Sequence, residues 1–262
     1  MPRTAIMADS NCGIMPEEES HYGIHILPMP IIIDGKTYFE GIDITMEEFY
    51  QKQTSGSVIT TSQPSPGDVT DMWDRLLKAH DEIVFIPMSS GLSNTCQTAL
   101  LLAEDELYKG RVFVVDNHRI SVTQALAVLD AKALADEGRT AREIKEILEQ
   151  EAMDATIYIA VDTLEYLKKG GRITAAAAAL GTILKLKPVL TIQGDKLDSY
   201  AKARGMKSAF RVMLEALKSD IASRLSPLRE KGLLKIGIAN TMMDPDKLEI
   251  FKAELKKTFP DM

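Results

Sequence analysis

Short apolar runs alternate with longer amphipathic segments along the first part of the chain. The runs have the length of buried strands, and the segments repeat their apolar positions at helical spacing. The strands predicted from the runs are 4–8, 82–87 and 111–116. The helices predicted from the segments are 93–107, 121–137 and 140–153. Strands that alternate with helices of this length indicate βαβ units and a parallel sheet.

Local signals mark where several elements begin. An Asp-Gly pair at 34–35, between β-rich segments, favours a hairpin with a type I′ turn. Ser65 followed by Pro66 predicts a cap and a first-turn proline before the helix that carries Trp73. Two further helix starts have capping-box spacing, Thr45 with Glu48 and Thr140 with Glu143.

The pattern changes after about residue 155. A strand over 156–160 is followed by an element at 164–169, a glycine turn and an alanine-rich helix over 175–184. An antiparallel hairpin is predicted over 185–192 and 196–203, with its turn at 193–195. The last predicted elements are a helix over 207–224, a strand over 234–239 and a helix from Asp244. We therefore predict an α/β protein with two domains. Residues 1–155 would form a parallel sheet flanked by helices, and residues 156–262 an α/β domain with antiparallel hairpin strands.

Charge and composition narrow the class of protein. The net charge is −7, from 31 basic and 38 acidic residues, and no basic block stands out. We therefore expect no nucleic-acid partner, because such binding needs a clustered basic surface. Cys12 and Cys96 have no metal or redox spacing, which is typical of the reducing cytoplasm. The N-terminal apolar run is too short for a signal peptide, and 175–184 falls short of the ~20 apolar residues of a bilayer span. We expect a cytoplasmic protein with no stable membrane insertion.

Two hydroxyl-rich segments are the main candidate for a binding site. They are Thr-Ser-Gln-Pro-Ser-Pro-Gly at 61–67 and Ser-Ser-Gly-Leu-Ser-Asn-Thr at 89–95, and each precedes a predicted helix. Helix N-termini offer unpaired N–H groups and a positive dipole end. The second segment also follows a predicted strand of the parallel sheet, where ligands of such sheets bind. The pattern predicts a carboxylate or phosphate site built from neutral donors.

Several common chemistries have no motif in this sequence. It contains no P-loop, no G-x-G-x-x-G and no G-x-S-x-G. None of the four histidines has metal-ligand spacing, so we expect no metal and no cofactor. A Ser-His-Asp triad, which assembles across a fold, stays open, and His118 near Asp116 is the candidate base. Asp9, at the end of the first strand with no second acid close by, is expected to have a structural or hydrogen-bonding role.

Six segments occur in the order and spacing of one known family. They are Asp9-Ser10, Thr-Ser-Gln-Pro-Ser-Pro-Gly at 61–67, Ser-Ser-Gly-Leu-Ser at 89–93, Leu-Glu-Tyr-Leu-Lys-Lys-Gly-Gly-Arg-Ile at 164–173, Leu-Lys-Pro-Val-Leu at 186–190 and Lys-Ala-Arg-Gly at 202–205. Each motif is unspecific alone, but the six together span nearly the whole chain. The sequence resembles the DegV family of bacterial fatty-acid-binding proteins.

The resemblance implies a carrier rather than an enzyme. Members hold one long-chain fatty acid, such as palmitate, between two α/β domains, and the second domain completes the lipid tunnel. They present its carboxylate to an ATP-dependent fatty acid kinase, which forms an acyl phosphate. No catalytic residue, metal or cofactor of the chain itself is implied. The matching positions are Thr61 and Ser93 for the carboxylate, Ser62 and the backbone of Asn94 beside it, and Arg172 and Arg204 near the head group or partner surface.

The sequence departs from the family pattern in two places. After Asp116 the family usually has serines and glycines, whereas Asn117–Thr123 here contains His118 and Arg119. Members also usually run on into a final strand with a glycine-flanked histidine, which this sequence lacks. We expect acyl binding to persist, with coupling to a kinase as the more fragile function.

Two other functions stay open. The same loops could cradle a small phosphorylated or polyhydroxylated substrate of an enzyme, with His118 facing a short polar pocket. Alternatively, the loops could only cap helices in a regulatory or interaction module. Substitution of Thr61 or Ser93 by alanine would weaken acyl binding in a carrier and leave all ligand binding unchanged in such a module.

Overall fold

The computed structural model describes residues 2–179, 186–193 and 196–262, and the chain divides into two compact units, Met1–Met153 and Asp154–Met262. The strands of the first unit are β1 (Thr4–Asp9), β2 (His25–Leu27), β3 (Pro30–Ile33), β4 (Lys36–Phe39), β5 (Ile59–Thr61), β6 (Glu82–Ile86) and β7 (Val112–Val114). Its helices are α1 (Glu19–Tyr22), α2 (Met46–Thr54), α3 (Pro66–Leu76), α4 (Thr95–Leu102), α5 (Ser121–Asp136) and α6 (Ala141–Gln150). Two 3₁₀ helices, Ser10–Cys12 and Pro16–Glu18, follow β1.

A parallel sheet in the order β2-β1-β6-β7 forms the centre of the first unit. Its two central strands are almost entirely apolar because helices cover both faces. Ile6 and Val84 pack in a cluster with buried residues of α5 and α6. Met7 and Phe85 pack on the opposite side with Trp73 of α3 and residues of α4. The predicted βαβ architecture is therefore confirmed.

A small antiparallel sheet in the order β4-β3-β5 lies in the same unit. Asp34 and Gly35 join β3 to β4 with φ values of 50° and 83°, and both angles are positive as a type I′ turn requires. β5 pairs with β3 on its other side, with Thr61 opposite Ile31. This sheet therefore places the first hydroxyl-rich segment directly after an edge strand.

One predicted helix is much shorter in the structure. The prediction extends it from 93 to 107, but α4 covers only Thr95–Leu102. Beyond it, the Asp105 carboxylate accepts a hydrogen bond of 2.9 Å from the Leu107 N–H, which closes a turn. Tyr108 then packs edge-on against Trp73 and donates to Asp74 at 3.0 Å. Burial of this tyrosine favours the turn over a longer helix.

The second unit has an antiparallel sheet in the order β10-β9-β8. Its strands are β8 (Ile157–Ala160), β9 (Leu186–Ile192) and β10 (Asp198–Arg204), and its helices are α7 (Glu165–Gly170), α8 (Ala175–Ala178), α9 (Met206–Ala222), α10 (Ser226–Glu230) and α11 (Pro245–Thr258). The predicted hairpin is confirmed as β9 and β10, and α9 covers it through Ala209 against Val189 and Ala203. The predicted helix residues 180–184, strand residue 185 and turn residues 194–195 lie outside the described residues.

The predicted strand at 234–239 is wrong. No strand is assigned there in the described part of the chain, although the residues keep a strand-like alternation of burial. Leu234, Ile236 and Ile238 pack against a cluster formed by α9 and α11. The alternation therefore reports apolar contact with helices rather than pairing in a sheet.

None of the helices in the described ranges combines the length and apolar character that a bilayer crossing requires.

Candidate functional site

The first hydroxyl-rich segment contains one hydroxyl that caps a helix and two that make no hydrogen bond within the described ranges. Ser65 begins α3 by accepting a hydrogen bond from the Asp68 N–H at 3.1 Å, and the Asp68 carboxylate accepts one from Ser65 N at 3.0 Å. The predicted cap is therefore confirmed. Thr61 and Ser62 are exposed, and their hydroxyls make no hydrogen bond within the described ranges. These two hydroxyls are free to meet a ligand.

The second segment is a tight turn that presents Ser93. The carbonyl oxygen of Ser89 accepts hydrogen bonds from the N–H groups of Leu92 at 3.0 Å and Ser93 at 3.1 Å. Ser93 Oγ then accepts from the Thr95 N–H at 3.2 Å, and it lies 2.9 Å from Thr95 Oγ1. The Ser93 side chain is half-buried, whereas Thr95 is 2% exposed. Thr95 therefore supports the Ser93 hydroxyl from the protein side.

This arrangement determines which way the Ser93 hydroxyl can donate. A serine oxygen can accept two hydrogen bonds and donate one. When Thr95 Oγ1 donates to Ser93 Oγ, the backbone and hydroxyl donors of Thr95 fill both acceptor positions. The Ser93 O–H is then available for an acceptor outside this pair, such as a carboxylate oxygen. The sequence analysis places Thr95 at the end of the second hydroxyl-rich segment but gives it no role, because a hydroxyl two positions after Ser93 does not show which group it contacts.

The start of α4 offers further donors next to Ser93. Asn94 precedes the helix, is exposed, and makes no side-chain capping bond. The first N–H groups of a helix lack partners within the helix and lie at its positive end, so they favour an anion there. The Asn94 side chain is therefore directed neither to a cap nor to the core, and that its backbone lies beside a bound carboxylate stays a prediction.

A side-chain hydrogen bond joins the first segment to α4, the helix that follows the second segment. Gln63 Oε1 accepts from Thr98 Oγ1 at 3.3 Å, which connects the residues after Thr61 to α4. Helices α3 and α4, which follow the two segments, also contact one another. These contacts connect the first segment to the helix that begins directly after Ser93 and Asn94. That Thr61 and Ser93 share one anion stays a prediction.

An acidic group lies behind the second segment. Asp116 Oδ1 accepts from the Ser90 N–H at 3.4 Å and lies 3.7 Å from His118 Nδ1. The Asp116 N–H donates to Glu149 Oε1 at 3.1 Å. His118 has a φ of +55°, a left-handed conformation that is uncommon outside glycine. The structure thus brings His118 and Asp116 close to the backbone of Ser90. That His118 faces a polar pocket, as the enzyme alternative requires, stays a prediction.

Asp9 has the hydrogen-bonding role expected of it. It ends β1 with no exposed surface, and its carboxylate accepts from Met88, Gln124 and Asn11. Burial raises the pKa of this carboxyl above its ordinary value, and the hydrogen bonds oppose that rise. Gln124, also fully buried, is a second residue that the sequence prediction did not include. Gln124 is a single polar residue within a helical pattern, and nothing near it in the sequence indicated a contact with Asp9.

Both predicted arginines lie in the second unit. Arg172 follows α7, is half-buried, and donates from Nη1 to the Gly170 carbonyl at 2.6 Å. Arg204 ends β10 and is exposed, and within the described ranges its guanidinium has no hydrogen bond or ion pair. The Arg204 guanidinium is therefore the freer of the two to meet an anionic group. Their proximity to a head group stays a prediction.

The described residues contain no group of three His, Cys, Asp or Glu side chains that could hold a metal ion. Both cysteines are buried, and burial raises the pKa of Cys12 to about 11 and that of Cys96 to about 12. Thiols with such pKa values remain protonated near neutral pH and are poor nucleophiles.

Comparison with known proteins places the chain in a family. Residues 3–262 match the model described as an uncharacterised protein of the DegV family. A DegV domain-containing protein of Caldanaerobacter subterraneus subsp. tengcongensis is 34% identical over 227 residues, which cover 86% of this chain and 81% of that protein. A second DegV domain-containing protein, from Deinococcus radiodurans, is 32% identical, and the match covers 83% of this chain and 77% of that protein.

Solved structures share the fold. A DegV family protein from Thermus thermophilus, described by its fatty acid binding, is 35% identical with a TM-score of 0.75, and the match covers 83% of this chain and 77% of that one. DegV from Bacillus subtilis, described as a fatty acid binding protein, is 25% identical with a TM-score of 0.80, over 100% and 90% of the two chains. The family model spans nearly the whole chain, and the two curated relatives exceed 30% identity, so this chain belongs to the DegV family.

Proposed function

We propose that this protein binds one long-chain fatty acid and holds its carboxylate with the hydroxyls of Thr61 and Ser93. The observation that carries the proposal is the Ser93 hydroxyl, whose acceptor positions Thr95 can fill so that its proton points to a ligand. Ser62 and the backbone of Asn94 would lie beside the head group. The Thermus thermophilus and Bacillus subtilis relatives described as fatty acid binding support this choice of ligand.

Neutral donors suit a carrier. A carboxylate held by hydroxyl and N–H groups is bound less tightly than one held by an arginine fork. Most of the affinity would come from the tail. A palmitate chain has about 14 methylene groups, which at about 0.8 kcal/mol each give roughly 11 kcal/mol before the costs of association. After those costs, binding in the micromolar to nanomolar range remains.

The proposed carrier presents its ligand to an ATP-dependent fatty acid kinase and is not itself an enzyme. Arg172 and Arg204 would serve near the head group or on the surface that meets the kinase. The guanidinium of Arg204 supports the second role, because it is exposed and has no partner among the residues that the structure describes. The test is to incubate loaded protein with such a kinase and ATP and to trap acyl phosphate as the hydroxamate. If the rate of acyl phosphate formation is unchanged when both arginines are replaced by glutamine, neither arginine serves the head group or the kinase.

Native mass spectrometry of the purified protein tests the ligand directly. The bound species is then released by denaturing extraction and identified. A stoichiometric long-chain fatty acid is the expected result, and it would be lost or reduced in a protein with Thr61→Ala and Ser93→Ala. An empty protein that takes up neither palmitate nor oleate would overturn the proposal.

A second candidate is an enzyme acting on a small phosphorylated or polyhydroxylated substrate at the same loops. The contact of Asp116 with both Ser90 and His118 favours it. This enzyme would retain a polar metabolite in the same extraction, and it would lose activity with His118→Gln. The carrier would keep its affinity for palmitate in that variant.

A further inference from the structure

The carboxylate of Asp9 accepts hydrogen bonds from four N–H donors. Oδ2 accepts from the Met88 N–H at 2.8 Å. Oδ1 accepts from the Asn11 backbone N–H, from Asn11 Nδ2 and from Gln124 Nε2, each at 3.1 Å. Every partner is a donor, so both oxygens of Asp9 act as acceptors. A neutral amide of the same shape cannot replace this arrangement, because it has only one oxygen.

These contacts hold the chain on both sides of Pro87. Before it, the Ile86 carbonyl oxygen accepts from Gln124 Nε2 at 3.0 Å. After it, the Met88 N–H donates to Asp9. Pro87 has no N–H of its own, so the path of the chain as it leaves β6 depends on its neighbours. Asp9 and Gln124 together fix that path.

The fixed path leads directly into the turn that presents Ser93. Ser89 follows Met88, and its carbonyl oxygen accepts from the Ser93 N–H at 3.1 Å. A shift of the Met88 backbone would therefore move the acceptor that positions Ser93. Thr61 is held instead by β3, and none of the described hydrogen bonds of the Asp9 carboxylate reaches β3 or β5.

We infer that Asp9 is a positioning residue for the ligand site: it holds the Ser89–Ser93 turn through Met88, and Gln124 supports it. This inference rests on the proposed binding of a fatty acid by Ser93. It assigns to Asp9 an effect on affinity that passes through Ser93 alone. Loss of one acceptor oxygen of Asp9 should therefore weaken the contribution of Ser93 to the affinity for the fatty acid and leave the contribution of Thr61 unchanged.

A double-mutant cycle with palmitate tests this pathway. In Asp9→Asn, the new amide N–H must face either Met88 or the donors at Oδ1, so at least one buried donor loses its acceptor. We expect the affinity for palmitate, measured by calorimetry, to fall about tenfold. Combined with Ser93→Ala, Asp9→Asn should cause no further loss. Combined with Thr61→Ala, the two effects should multiply.

Ser10→Ala is the matched control. Ser10 is buried next to Asp9, and its hydroxyl oxygen accepts from the Met29 N–H at 3.1 Å, away from Met88. Met29 precedes β3, which holds Thr61, so the loss of this hydroxyl can act on the site only from the Thr61 side. Any fall in affinity in Ser10→Ala should therefore vanish in combination with Thr61→Ala and multiply with Ser93→Ala, the reverse of the result expected for Asp9→Asn. Should Asp9→Asn fail to fold, Gln124→Met serves in the same cycle, because it removes the donor to Asp9 and Ile86 and keeps the length of the side chain.

The outcomes separate the two proposals. If the wild-type protein does not bind palmitate, both are overturned. If it binds, and Thr61→Ala and Ser93→Ala each weaken binding, the proposed function stands. In that case, an Asp9→Asn effect that multiplies equally with both substitutions, or no effect at all, would overturn the role of Asp9 alone.

Discussion

Replacement of Thr95 by valine should weaken ligand binding without direct contact to the ligand. The side chain is 2% exposed, and its hydroxyl lies 2.9 Å from Ser93 Oγ. Valine has nearly the same shape, so the substitution removes the hydroxyl and keeps the packing. The Ser93 O–H is then no longer restricted to donation toward the ligand, because one acceptor position of Ser93 has become empty.

The size of the effect follows from the bond that is lost. A neutral hydrogen bond contributes about 0.5–1.5 kcal/mol net. At about 1.4 kcal/mol per factor of ten, the affinity for palmitate should fall about two- to twelvefold. The Thr95 N–H remains as a donor to Ser93 Oγ, so the loss should stay below that of Ser93→Ala.

Thr95→Ser provides the matched control. It keeps the hydroxyl but removes a buried methyl group, so the free energy of unfolding should fall by about 1 kcal/mol while the affinity stays within about twofold. Calorimetric titration with palmitate and urea unfolding measure the two quantities separately. Equal affinities of the valine and serine variants, or a full valine effect in a Ser93→Ala background, would refute the reasoning.

Three further predictions follow from the first unit. Thr61→Ala should weaken palmitate binding by about 1–3 kcal/mol, measured by titration against Thr60→Ala, an exposed neighbour whose loss should change nothing. Neither Cys12 nor Cys96 should react with Ellman's reagent at about pH 8 in the native protein, and both should react after unfolding; fast native labelling would contradict their burial. Burial lowers the pKa of His25 below 6.5, so the unfolded chain takes up this proton first as the pH falls. The free energy of unfolding, measured with urea, should therefore fall as the pH drops below about 6.5, and it should fall less in His25→Asn. Equal falls in the two proteins would contradict this.

Elements defined by local sequence were predicted well. The capping boxes at Thr45 and Thr140 and the cap at Ser65 are present in the structure, and each involves a partner only three residues away. The Asp34-Gly35 turn has the backbone angles expected of it. In each case the energies that decide the conformation lie within one turn of chain, so the residue types suffice.

Predictions that depended on more distant contacts were less accurate. The helix predicted from 93 ends at Leu102 because Tyr108 packs against Trp73 of another helix. The strand predicted at 234–239 has the right alternation of burial, but helices bury its apolar residues. Periodicity reports which side chains are buried, and it does not report what covers them.

The sequence alone determined the class of fold, the family resemblance and the two hydroxyl-rich segments, because these depend on residue types, spacing and order. It could not show how the Ser93 hydroxyl is supported. Asp9 reaches Met88 across 79 residues and Gln124 across 115, and no local pattern connects positions so far apart. Only the tertiary structure brings Asp9, at the end of β1, to the backbone that follows β6 and to Gln124 of α5. Buried polar groups are stable only when they are hydrogen-bonded, so the folded core must bring such partners together.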